Sequence, residues 1–146
     1  MQRLKTRAQF EAAMAGGTFS RTAHFVLHRA ALDAPAAPAG PGSKRPQALF
    51  AVHDQPWVGA VVPKRWARRA VTRNGIRRQV YALSAEFAPR LPAAAFVVRL
   101  RSTFDRAQFP SAWSLPLKAA VRAELLQLFE RAAVRTPPAA RAAGQP

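Results

Sequence analysis

The sequence predicts an α+β fold: a two-layer α/β sandwich in the order helix, strands, helix, strand, helix (αβββαβα-like) around one mainly antiparallel sheet. Three observations predict it. Three segments space their apolar residues by three and four, as helices buried on one face require. The segments between them are rich in β-branched and aromatic residues, as strands are. With 146 residues, 49% of them apolar, the chain can bury one core, and one sheet with helices packed on it is the natural way to do so.

The first helix opens on Thr6-Arg7-Ala8-Gln9, a capping box in which the Thr6 hydroxyl serves an early N–H and Gln9 reaches back. Phe10, Ala13 and Met14 share its face, and Gly16-Gly17 stops it. Residues 18–32 read as a strand with a short one before it. Residues 33–46 hold four Pro, four Ala and two Gly, the composition of a flexible loop. Two apolar runs, 48–52 and 57–62, flank a polar turn and predict a β-hairpin. A helix over 69–88 follows, with Ile76, Val80, Leu83 and Phe87 on one stripe, and Pro89 closes it. Phe96, Val98 and Leu100 alternate with Val97, Arg99 and Arg101, which predicts a half-buried strand with a basic outer face. The last helix, about 114–134, aligns Leu117, Val121, Leu125, Leu128 and Ala132, with Pro116 tolerated in its first turn. Residues 1–134 thus make one domain and 135–146 a disordered tail.

Charge narrows the function. The 23 Lys and Arg against 7 Asp and Glu give a formal charge of +16, a field that attracts polyanions. Arg predominates, and a guanidinium binds phosphate bidentately and stacks on bases. Cysteine is absent, which excludes disulfides and thiolate metal sites. No apolar run approaches the ~20 residues of a membrane span, so the expectation is a cytoplasmic protein with no membrane partner.

The cations concentrate in residues 64–78, KRWARRAVTRNGIRR, where seven of 15 residues are basic and no acid occurs between Asp54 and Glu86. At helical spacing Arg69 and Arg73 continue the stripe of Ile76, Val80 and Leu83. A stripe that turns from apolar to cationic must overhang the sheet and present its first turns to a ligand. Helix N-termini also favour phosphate.

Ala70-Val71-Thr72-Arg73-Asn74-Gly75-Ile76-Arg77-Arg78, preceded by Val58-Gly59-Ala60-Val61-Val62-Pro63-Lys64-Arg65, resembles the signature of the ribonuclease P protein family, a "GLxVSKK" strand leading into an "AVxRNRIKR" helix. The resemblance extends over roughly 2–133, from Arg3-Leu4-Lys5 and Phe10 to Phe96-Val97-Val98. Gly75 departs from it, standing where many members have a third basic residue. What the resemblance implies is a protein subunit that assists Mg²⁺-dependent endonucleolytic removal of the 5′ leader from precursor tRNA. The RNA subunit would carry catalysis, and RNA and substrate would hold the Mg²⁺. Lys64, Arg65, Arg68, Arg69, Arg73, Asn74, Arg77 and Arg78 would grip the RNA subunit, one protein per RNA. A cleft between the first helix and the sheet would hold the leader, with Phe10, Phe25, Arg99 and Arg101 as its candidates.

The residues themselves offer no catalytic or metal site. The seven acids are scattered without motif spacing, and His24 and His28, if on one strand, lie ~13 Å apart, too far to share an ion. The rival reading is a ribosomal-type RNA-binding protein without enzyme association; an architectural DNA-binding protein would need heptads or a helix-turn-helix pattern, neither of which is present.

Overall fold

The computed structural model describes residues 1–32, 50 and 54–135. Its order is β1 (Gln2–Arg3), α1 (Arg7–Ala15), β2 (Thr18–Arg21), β3 (Phe25–Ala31), β4 (Trp57–Val61), α2 (Ala70–Phe87), β5 (Ala94–Leu100) and α3 (Leu115–Arg135). The expected loop at 33–46 lies outside the described residues, as does the expected 135–146 tail apart from Arg135, which ends α3, and the first arm of the expected hairpin apart from Phe50.

The helices form where their caps and stripes predict. Thr6 Oγ1 accepts the Gln9 N–H, and Gln9 Oε1 accepts the backbone N–H groups of Lys5 and Thr6. Gly17, at φ 91°, turns the chain out of α1 into β2. Ser114 Oγ accepts the Leu117 N–H at the start of α3. The predicted stripes of α2 and α3 are all buried, at 5% exposure or less.

The five strands lie in the order β1-β4-β5-β3-β2. β3 pairs antiparallel with β2 and β5, whereas β4 pairs parallel with β1 and β5, so the sheet is mixed rather than mainly antiparallel. The physical reason is α2: a helical crossover returns the chain so that β5 runs parallel to β4. β1, two residues long, is too short to leave a periodic signal.

The helices divide between the faces. α2 and α3 cover one, packing on Phe25, Leu27, Val58, Phe96, Val98 and Leu100 to form the main core. α1 crosses the other, where Leu4, Ala13, Trp57, Ala95 and Val97 form a smaller cluster, so the two main layers gain a partial third. β5 is consequently central and buried on both faces along most of its length; only Arg99 interrupts its burial. The expected basic outer face shrinks to that residue and to Arg101 beyond the strand end.

Candidate nucleic-acid interface

The basic segment enters α2 through a rigid turn. The Pro63 carbonyl accepts the N–H groups of Trp66 and Ala67, each at 3.1 Å. From the first turn of α2, Arg73 reaches back and donates from Nη1 to the carbonyls of Ala67 (2.9 Å) and Arg68 (2.7 Å). Arg73 therefore braces the loop that displays its neighbours. Lys64, Arg65, Arg68, Arg69, Asn74 and Arg78 are exposed; Arg77 is half-buried and donates to Asn74 Oδ1 at 3.3 Å. Arg65 stands 5.1 Å over the Trp66 ring.

None of these cations is neutralised by a carboxylate. The ion pairs among the described residues are Arg7–Glu11, His24–Glu124 and Arg122–Glu86, all elsewhere. No acid lies in the first turn of α2, and no side chain caps it. The surface also gains a member that sequence reasoning missed. Arg3, carried by β1, stacks 4.2 Å over Tyr81 and lines a shallow groove on α2 with Val71, Asn74, Arg77 and Arg78. Only the pairing of β1 with β4 brings it there, and two residues of sequence give no sign of that pairing.

Of the residues expected to line a cleft, Phe10 and Arg99 lie on the opposite face of the sheet, the one α1 crosses. Phe10 of α1 is half-buried against Gly59, where a Cβ would collide with its ring, so α1 can lie across β3 and β5 with Phe10 reaching β4 because residue 59 is glycine. Arg99 continues that face beyond α1, paired across the sheet with Val26 and Val61. Arg101 is exposed and donates to the Thr22 carbonyl at 3.1 Å. Phe25 does not belong with them. It is fully buried in the main core under α2 and α3, because it pairs with Leu100 and so faces away from Arg99.

His28 lies beside Arg99. Its Nε2 lies 3.2 Å from Arg99 Nε, which donates to it. Burial, and then the Arg99 charge, hold its pKa below the usual 6.5; the Gly17 backbone pulls weakly the other way. His24 turns to the other side. It pairs with Glu124 of α3 at 2.8 Å and stacks 4.0 Å from Phe104. Glu124 also accepts from Thr22 Oγ1, pinning the β2–β3 turn onto α3. Among the described residues no three His, Asp or Glu side chains come together to seat a metal ion.

The family model for ribonuclease P matches residues 1–132. The chain belongs to the ribonuclease P protein component family. It is 32% identical over 131 residues to the ribonuclease P protein component of Bordetella parapertussis, covering 90% of this chain and 91% of that one. The Paraburkholderia xenovorans ribonuclease P protein component is 38% identical over 99 residues, 61% of this chain and 68% of that one. In fold the chain resembles the Staphylococcus aureus RNase P protein, with TM-score 0.59 and 17% identity over 89% of this chain and 94% of that one. Among the described residues no helix is long and apolar enough to cross a membrane.

Proposed function

We propose that this chain binds the RNA subunit of ribonuclease P through the cationic surface around the start of α2, one protein per RNA, and assists removal of the 5′ leader from precursor tRNA. The observation that carries this reading is the set of unpaired cations on the loop and first turns of α2, braced by Arg73 and extended by Arg3. Cations held this way neutralise phosphates and release counterions, which makes binding tight and salt-dependent. The leader would lie on the opposite face, with Phe10 for stacking and Arg99, Arg101 and His28 for its backbone; such contacts hold single strands with little sequence preference.

In this reading Mg²⁺ is bound by RNA and substrate, and the RNA carries out hydrolysis. The protein's cations lower repulsion between phosphates and so reduce the Mg²⁺ that the reaction needs. Cleavage of precursor tRNA by a bacterial ribonuclease P RNA at low Mg²⁺, with and without the protein, tests this. Cleavage only with the protein supports the role. Tight RNA binding without stimulation favours a ribosomal-type RNA-binding role.

A further inference from the structure

A second feature of the basic surface goes beyond simple charge. Where the 63–69 loop meets the segment joining β5 to α3, the protein encloses a cavity of about 420 Å³, within the ~300–1,000 Å³ of small-ligand sites. Its floor is the core itself, at Ile76, Leu100 and Leu117. Trp66, Phe104 and Phe109 line its walls, and Arg65, Arg68, Arg69 and Arg106 surround them. Among the described residues no carboxylate lines it; the nearby Asp105 accepts the Ala107 N–H. The Trp66 indole N–H is buried and has no acceptor among the described residues.

The cavity is built rather than incidental. One wall is the turn closed by Pro63 and braced by Arg73. The other is fixed by Thr72 Oγ1, which donates to the Ala112 carbonyl, and by Trp113, whose indole occupies the space a side chain at residue 75 would need. Gly75 thus admits the loop that brings Arg106 and Phe104 to the basic surface. An apolar, aromatic-walled cavity ringed by guanidinium groups matches a planar base that carries a phosphate.

We propose that this pocket receives a single unstacked nucleotide of an RNA chain, its base among Trp66, Phe104 and Phe109 and its phosphate among Arg65, Arg68, Arg69 and Arg106. The RNA source of that nucleotide rests on the RNA-binding role proposed above; the pocket's chemistry does not.

The test follows the three Trp indole N–H signals by NMR while the full chain is titrated with adenosine 5′-monophosphate or with inorganic phosphate at equal ionic strength. The Trp66 signal should move with the nucleotide and not with phosphate, while that of Trp57, on the other face, stays still. Ser111→Leu, an uncharged plug at the exposed rim, should abolish the shift. It should also weaken ribonuclease P RNA binding about tenfold, the loss of one stacked base. Arg106→Ala, exposed on the loop, should weaken the nucleotide shift severalfold and covers the case in which the plug disturbs folding. Equal shifts with phosphate would overturn the pocket, as would a still Trp66 signal. Nucleotide binding with RNA affinity unchanged by the plug would overturn the RNA source. Absence of any RNA binding by the wild-type chain would sink the RNA-binding role, and the RNA source with it, while the nucleotide arm still judges the pocket.

Discussion

Gly75 stands, in sequence, where a basic residue is expected, and there it reads as a lost phosphate contact and a weak point in α2. The structure gives the position a positive reason: it is buried under the Trp113 indole, and any Cβ would collide with that ring. Gly75→Arg is therefore expected to lower stability by roughly 1–3 kcal/mol through overpacking, less the ~1 kcal/mol of helix propensity regained. Urea denaturation measures the difference, and Gly75→Arg combined with Trp113→Ala should recover part of it. An unchanged midpoint in the single variant would contradict the packing. His28 is a second such residue. Because its folded pKa lies below 6.5, the unfolded chain takes up a proton first as pH falls. Stability should therefore decrease as pH drops through 6.5 toward the folded pKa. Arg99→Gln should move that pKa back toward 6.5, as an NMR titration of the imidazole would record; an unmoved pKa would disprove the Arg99 contribution. Neither role was legible in sequence. One depends on a loop contact 38 positions away in the chain, the other on the β3–β5 register.

Among the elements, the helices were the most legible, because caps and apolar stripes are local signals: the capping box at Thr6 and the stripes of α2 and α3 stand where their residues put them. The strands were legible as strands but not as neighbours. Nothing in residues 57–62 distinguishes parallel from antiparallel pairing, and Val97 looked outward-facing until α1 was placed over it. Phe25 was misplaced for the same reason, since alternation gives two faces without saying which is covered by which helix. The basic helix was legible as a cationic stripe, but its division of labour was not: Arg73 braces while Arg69 is displayed. For α2 this predicts that Arg69→Ala with Arg77→Ala makes the dependence of RNA affinity on log salt shallower by about two, one per lost phosphate contact. A filter-binding series across salt concentrations measures it. An unchanged slope would place the RNA elsewhere on the surface.

At the scale of the whole molecule, the sheet separates two cationic faces. One bears the loop and helix that gather Lys64 through Arg78, the other Arg99 on the side that α1 crosses. A chain of formal charge +16 with three ion pairs among its described residues leaves most of its cations without a carboxylate partner, a field that attracts polyanions. In the proposed role, that arrangement would let one small protein touch a large RNA and a single strand at once. The most direct measurement of this account is the Mg²⁺ dependence of precursor-tRNA cleavage by a bacterial ribonuclease P RNA, with the wild-type chain, with Arg69→Ala and Arg77→Ala together, and without protein. The account predicts that the wild-type chain shifts the requirement to lower Mg²⁺ and that the double variant loses much of the shift. A Mg²⁺ requirement identical with and without the protein would contradict it.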